Sequence, residues 1–288
     1  MNGIDISAYQ GKIDGARVRN AGVEFAILRV SDKNNAEDAY FSANYNQCRK
    51  NGIFTGVYKF SYALTETVAA AEAEKTLSLI KNKEIDCGVW LDLEWEEQRK
   101  LGGRKIEKIA QAFIKVIEKG GYSCGIYCNT DWYKRVLTEK LKQYPLWIAR
   151  YPSADGGVPD YELKPDVGIV WQYTSKGRVS GISGYVDRDL AWVNLPEYLK
   201  KRNEEILKEK EAAYMFQVGT LQYGSAGNDV LLFEEIMKAR GYYEGALDKS
   251  YGEGCMAACT QYQKERKGAA GPVDGICGEK TWKDLIAL

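Results

Sequence analysis

The sequence predicts an α/β fold: a parallel sheet, closed as a barrel or left open, followed by a small helical unit. Three observations carry that reading. Up to about residue 144, runs with strand periodicity alternate with helix-periodic segments. After Pro145 the rhythm breaks, and three more strand-like runs are separated by Gly-, Pro- and Ser-rich segments too short and too polar for packed helices. Beyond about residue 216, three apolar helical segments follow one another.

Residues 3–9 read as a first strand, with Asp5 and Ser7 opposite Ile4 and Ile6. A short helix near 14–20 leads to a strand at 25–30, and a helix across 37–50 stops at Asn51-Gly52. The strand at 53–62 sets Tyr58, Phe60 and Tyr62 on one face. Thr65 opens a helix over 66–81 with Glu66 in its first turn. In the stretch 88–97, Val89, Leu91, Leu93 and Trp95 alternate with Trp90, Asp92, Glu94 and Glu96. The wholly apolar face marks a central strand packed from behind, and Asp92 and Glu94 share the other face about 6–7 Å apart. A helix at 104–119 ends at Gly120-Gly121, a strand follows at 123–128, and Asp131 stands at the cap of a helix over 132–142. The late strands are 146–151, 168–174 and 185–193.

Carboxylates turned into the middle of a fold are costly unless they are used. Two neighbouring ones raise each other's pKa, so one stays protonated near neutrality while the other is an anion. Glycoside hydrolysis needs that division, an acid for the leaving oxygen and an anion for the developing oxocarbenium charge. Asp-x-Glu alone equally fits a solvated strand end whose acids pair with Lys or Arg. The 288 residues contain no histidine, which removes Ser-His and Cys-His nucleophiles and His-ligated zinc hydrolases. Acid–base work falls to carboxylates, Lys, Tyr or Cys. With 40 basic and 40 acidic residues, no electrostatics for nucleic acid or an anionic membrane are implied. The 20 Tyr and 7 Trp suit a carbohydrate-facing cleft, although most belong in the core.

Seven cysteines, at 48, 87, 124, 128, 255, 259 and 277, form no dense framework and read as buried free thiols, a zinc site being the alternative. No cofactor and no metal are expected. Asp5 interrupts the N-terminus and no apolar run is long enough to span a bilayer. The expectation is synthesis in the cytoplasm without a signal peptide, no membrane insertion, and action elsewhere after release. Residues 197–213, dense in mixed charge, read as a helical linker between a domain at 1–196 and another at 214–288. The second contains a repeat: Gly245-Ala-Leu-Asp248-Lys-Ser-Tyr-Gly252-Glu253 is echoed by Gly271-Pro-Val-Asp274-Gly-Ile-Cys-Gly278-Glu279. Helices at 228–240, 254–266 and 279–287 surround the two copies.

Gly3-Ile-Asp5-Ile-Ser7, Asp92-Leu-Glu94, Trp171-Gln172-Tyr173-Thr174 and Gly184-Tyr185-Val186-Asp187 together resemble the glycoside hydrolase family 25 lysozymes, over about residues 2–195. These are muramidases of phage endolysins and bacterial wall hydrolases, and the motifs fall in the family's order. The resemblance implies a flattened, irregular (β/α) barrel of eight strands with late helices missing, acting on bacterial peptidoglycan. It makes Glu94 the general acid and Asp92 the group that stabilises the reacting centre, with Asp5 and Asp187 as outer acids. Asp189 shares a face with Asp187 by periodicity, and only the resemblance selects Asp187. Tyr58, Phe60, Tyr62, Tyr127, Trp147, Tyr151, Trp171 and Gln172 become candidate sugar contacts, and Arg29 stands where many relatives have Lys. The family implies retention of configuration with the substrate's N-acetyl group as nucleophile; spacing alone leaves the stereochemistry open. Leu221-Gln222, Gly241-Tyr242, Tyr262-Gln263, Asp274-Gly275 and Thr281-Trp282 resemble the peptidoglycan-binding domain type 1, with Lys249 in place of Gly after Asp248. A glycosidase on another N-acetyl polymer such as chitin, and a non-catalytic wall-binding protein, stand as alternatives. The four acids count against the latter. Oligomeric state is not encoded in any of these patterns.

Overall fold

Eight strands close into a barrel in sequence order. The computed structural model describes residues 1–213 and 218–286 and divides into two compact units, Met1–Glu211 and Ala212–Leu288. In the first unit, β1 (Asn2–Ile6), α1 (Gly15–Asn20), β2 (Phe25–Arg29), α2 (Phe41–Lys50), β3 (Phe54–Phe60), α3 (Glu66–Ile80) and β4 (Val89–Asp92) alternate. They continue as a one-turn α4 (Glu96–Arg99), α5 (Gly103–Lys119), β5 (Cys124–Asn129), α6 (Thr130–Arg135) and β6 (Leu146–Ala149). Then come β7 (Val170–Gly177), β8 (Val186–Ala191) and α7 (Leu195–Ala213). Strands β1 to β7 are parallel, whereas β8 runs antiparallel to both β7 and β1. Only a 3-10 turn, Tyr161–Leu163, lies between β6 and β7, and no helix lies between β7 and β8. That last connection is too short for a crossover, so β8 must reverse direction.

Period-2 alternation sorts the side chains. Ile4, Ile6, Ala26, Leu28, Val57, Val89, Leu91, Leu93, Ile126 and Ile148 face the helices. Phe25, Ile27, Trp90, Tyr127, Trp147 and Val170 belong to a second cluster that fills the barrel. Along α5, Ile106, Ile109, Ala110, Phe113, Ile114 and Ile117 recur at helical spacing and are buried. Inside the barrel, glycines make room for large rings. A Cβ at Gly125 would stand 2.5 Å from Trp90 Cε3, and one at Gly3 equally close to Phe25 Cε1. Gly125→Ala is therefore expected to cost about 1–3 kcal/mol through overpacking. A lower urea midpoint with an unchanged m-value checks it.

Several elements differ from their sequence reading: the first strand ends at Ile6 and the helix expected from 37 begins at Phe41. The strand expected over 88–97 ends at Asp92, and Trp95 is already the N-cap residue of α4. The helix expected over 132–142 splits into α6 and a 3-10 turn at Leu141–Gln143. Its cap is Asn129, whose Oδ1 accepts from Trp132 N at 2.9 Å, while Asp131 pairs instead with Arg99 and Arg135. All seven cysteines are buried and free. The charged segment at 197–213 is helical as part of α7, whose Leu195 and Leu199 are buried in the barrel's inner cluster. No described helix is long and apolar enough to cross a membrane.

The second unit holds α8 (Asn228–Ala239), α9 (Glu253–Glu265) and α10 (Glu279–Ile286) around a core that includes Phe233, Met237, Tyr251, Cys259, Tyr262 and Trp282. Residues 214–217, with which the expected module begins, and residue 287, at the end of its last expected helix, lie outside the described residues. The repeat is visible in three dimensions. Asp248 Oδ1 accepts from Ser250 N and Asp274 Oδ1 from Ile276 N, both at 2.9 Å. Lys249 and Gly275 both have left-handed backbone, φ 65° and 70°, and each N–H is taken by a side chain of a neighbouring helix, Glu234 or Gln263. Lys249 thus occupies a conformation that glycine adopts without cost. Gln263 also donates to Ile276 O and Thr281 Oγ1, which ties three of the quoted dipeptides into one buried clamp.

Candidate active site

The carboxyl ends of the parallel strands surround a cavity of about 330 Å³ lined by sixteen residues, among them Asp5, Asp92, Glu94 and Asp187. Asp5 lies near the end of β1 and Asp92 ends β4. Glu94 sits two residues past that end, where Leu93 is still anchored in the outer core. Asp187 arrives from the opposite direction: because β8 is antiparallel, its beginning, not its end, reaches this face, and the register sets Asp187 directly opposite Asp5. That pairing brings a second carboxylate beside Asp5, and its charge is one of the causes that push the Asp5 carboxyl up.

Burial governs the electrostatics. Asp5 and Asp92 are 5% and 3% exposed, and desolvation pushes both well above the usual carboxylate range. Asp187 and Asp189 add to the rise at Asp5, against a hydrogen bond from Gln172 Nε2 to Asp5 Oδ2 at 2.6 Å. Glu94 adds to the rise at Asp92, whose Oδ1 is buried with no hydrogen-bond partner among the described residues. Glu94 is raised first by burial and then by Asp187. Asp187 is pushed up to about 6, chiefly by burial. Four acids in one low-dielectric cavity cannot all ionise, so the set keeps protons where isolated carboxylates have lost them.

Around the acids stand Tyr58, Phe60, Tyr62, Tyr127, Trp147, Tyr151 and Gln172, all lining the cavity. Phe60 and Tyr62 pack 4.7 Å apart, and Tyr127 meets the Trp147 edge at 4.5 Å. Gln172 Oε1 accepts from Tyr127 Oη at 2.8 Å and from Tyr151 Oη, so one amide joins both tyrosines to Asp5. Trp171 is placed elsewhere. Next to inward-facing Gln172, it turns outward, donates Nε1 to Arg150 O at 2.9 Å and stacks on Trp192, which removes it from the sugar-contact set. Asp189 lies deeper than Asp187, 1% exposed, with Trp147 Nε1 donating to Oδ1 at 2.8 Å; it is absent from the lining.

Ser7, Tyr9, Gln10 and Ser175 also line the cavity and were not among the sequence candidates. Strand alternation already put Ser7 on Asp5's side. Tyr9 and Gln10 belong to a 3-10 turn, Ala8–Gln10, to which strand periodicity is blind. A capping box builds that turn: Ser7 Oγ accepts from Tyr9 N at 3.3 Å and Gln10 Oε1 from Ser7 N at 3.0 Å. Tyr9 is left 87% exposed at the rim, its ring 5.3 Å from the Arg29 guanidinium, which Asp38 holds at 2.7 Å. Among the described residues no group of three or more His, Cys, Asp or Glu could hold a metal ion.

Comparison with known proteins identifies relatives of the sequence and the fold. Over 196 residues the chain is 31% identical to the autolytic lysozyme of Clostridium acetobutylicum, covering 66% of this chain and 55% of that protein. It is 26% identical over 210 residues to the N,O-diacetylmuramidase of Chalaropsis, covering 65% of this chain and 96% of that one. The crystal structure of the CTP1L endolysin superposes with a TM-score of 0.56 at 29% identity, over 79% of this chain and 88% of that chain. Residues 4–182 match the model of glycosyl hydrolases family 25, and the chain belongs to that family as a glycoside hydrolase.

Proposed function

We propose that this protein is a peptidoglycan muramidase that hydrolyses the β-1,4 bond between N-acetylmuramic acid and N-acetylglucosamine, with Glu94 as general acid. The convergence of Asp5, Asp92, Glu94 and Asp187 on one cavity carries the reading. Glu94, at the mouth and raised by burial, holds a proton to give the leaving oxygen. Asp92 is costly to ionise in the free site, and a positive charge developing beside it makes that anion favourable. The interaction therefore strengthens between ground and transition state, as catalysis requires. The substrate's own N-acetyl oxygen is the nucleophile in this scheme, and configuration is retained. Asp5 and Asp187, paired across β1 and β8, set the field and orient the sugar. Tyr58, Phe60, Tyr62, Tyr127, Trp147, Tyr151 and Gln172 bound the pocket in which the glycan lies. Mass spectrometry of digested peptidoglycan tests the reading: new reducing ends should be muramic acid. Glucosamine ends, or digestion of chitin in its place, would overturn it.

Asp187 raises Glu94, so removing its charge should lower the Glu94 pKa. Asp187→Asn is expected to move the basic limb of the kcat/KM profile to lower pH, read on soluble muropeptides. An unmoved limb would leave Asp187 with no electrostatic role.

The helical unit is assigned to wall binding, and the enzyme to action on the cell wall after release from the cytoplasm. Its support is the duplicated Asp turn and the Gln263 clamp, both of the kind that the peptidoglycan-binding resemblance implies. Tethering raises the local glycan concentration without new contacts at the cleft. A chain ending at Glu211 should keep its rate on soluble fragments and lose activity on intact sacculi, most of all at low enzyme concentration. Equal activity of both forms on sacculi would remove the binding role.

A further inference from the structure

A second recess, of about 470 Å³, lies on the other side of the β7–β8 hairpin and is lined by Asp155, Gly156, Gly157, Val158, Lys176, Arg178, Tyr185 and Arg188. The hairpin is a wall shared with the catalytic cavity. Ser175 and Asp187 line the cavity, whereas their chain neighbours Lys176 and Arg188 line the recess, as strand alternation demands. Three cations face this space. Among the described residues none of them forms a salt bridge. Arg178 lies over the Tyr185 ring at 4.6 Å, which fixes its plane and leaves its edge free. Arg188 Nε is buried with no hydrogen-bond partner among the described residues. An orphaned guanidinium donor of that kind is costly unless something completes it.

The local chain is shaped around these cations. A Cβ at Gly177 would stand 2.5 Å from Arg188 Cδ, so glycine lets the arginine stem cross the strand. Gly157, at φ +79°, backs onto Lys176 O, where a Cβ would come within 2.8 Å. The one acid in the lining is already engaged: Asp155 accepts from Gly157 N and Ser175 N, each at 3.0 Å, and from Thr174 Oγ1. It fastens the loop to β7 and does not neutralise the arginines across the space. Arg188 lies 5.8 Å over the Tyr173 ring and feels the buried Asp189 on the barrel side.

We propose that this recess binds the carboxylates of the peptide stem carried by muramic acid, and so makes the enzyme prefer peptide-bearing glycan. The proposal rests on the muramidase reading and extends it. A glycan lying in the catalytic cavity carries its stem from the lactyl group of muramic acid, and the hairpin edge is a short path from cavity to recess. Free α-carboxylates along that stem offer the planar, bidentate acceptors that guanidinium groups match.

The test uses the full chain and the double variant Lys176→Glu/Arg178→Glu, both positions being exposed and outside the core. Hydrolysis is compared on sacculi with intact stems and on sacculi stripped of stems by an amidase. The wild-type rate ratio should favour the intact substrate about tenfold at low salt, shrink as salt rises, and collapse towards one in the variant. A ratio near one in the wild type, or an unchanged ratio in the variant, would overturn the proposal. A second measurement needs no turnover: titration of the full chain with soluble disaccharide tripeptide, followed by NMR shifts at Lys176, Arg178 and Arg188. Saturable shifts weakened by amidating the stem carboxylates support the recess, whereas their absence overturns it. Displacement by glycerol phosphate alone would assign the recess to phosphate and equally overturn it. If neither sacculus is cleaved while the tripeptide binds, the muramidase reading fails and carboxylate recognition stands.

Discussion

Glu94→Gln is expected to lower turnover by about 10²–10⁴-fold, the usual worth of a general acid. The amide keeps the shape of the side chain at the cavity mouth but has no proton to give to a leaving oxygen. Glu94 is half-buried and lies beyond the end of β4, outside the ladder, so the fold should not depend on it. The expected loss lies in kcat with KM little changed, since an interaction made only in the transition state is removed. An aryl glycoside whose leaving group needs no proton should recover much of the deficit. Near-normal clearing of cell-wall suspensions by folded Glu94→Gln protein would end the assignment.

The second large effect is at Asp92. Asp92→Asn should reduce kcat by roughly 10²–10³-fold, the scale of losing one oriented electrostatic group in a dry site. It should also stabilise the protein, which separates lost chemistry from lost folding. The sign follows from the raised pKa. In the folded state Asp92 holds its proton above the unfolded carboxylate pKa of about 3.9. Its contribution is therefore complete below that value and is lost as pH rises through the folded pKa. Asparagine carries no such loss, so the variant's advantage should be absent at pH 3 and grow towards pH 7. Thermal unfolding of both proteins across that range checks the sign. A variant less stable than wild type at pH 7 would mean that the carboxylate is structural.

The acidic strand shows how far a sequence can be read. Val89, Leu91 and Leu93 alternate against Trp90 and Asp92 because one face meets helices and the other fills the barrel, and both surfaces impose period 2. Hydrophobicity could not reveal that pairing stops at Asp92, since Leu93 and Trp95 keep the alternation after the ladder ends. Trp171 shows a related difficulty. A tryptophan beside a glutamine in a site motif invites a sugar-stacking role, yet pleat geometry sends only one of two neighbours inward, and composition does not say which. Tyr9 and Gln10 were illegible for another reason: a 3-10 turn of three residues has no periodicity to detect. Asp187 and Asp189 share a face, and what separates them is depth along the strand, which depends on register across β1 and β8. The recess behind the hairpin is a product of tertiary packing, drawing on the 155–158 loop as well as β7 and β8.

The reversed direction of β8 has a consequence for how such an enzyme can be varied. Sliding β8 by one residue would swap an acid for a cation at the catalytic face, because Asp187 and Arg188 point to opposite sides. Irregularities in the β7–β8 register between Gln172 and Gly177 lie on the strand itself. Insertions or deletions there would reset which residues face inward. The turn at 178–185 lies beyond the last paired position, but Val179 is buried in the core and Gly181 O accepts from Asp14 N at 2.9 Å. Only its exposed positions, such as Ser183 and Gly184, are therefore open to change without touching the ladder. Laboratory evolution confined to those exposed tip positions should remodel selectivity while the strand that carries Asp187 keeps its register.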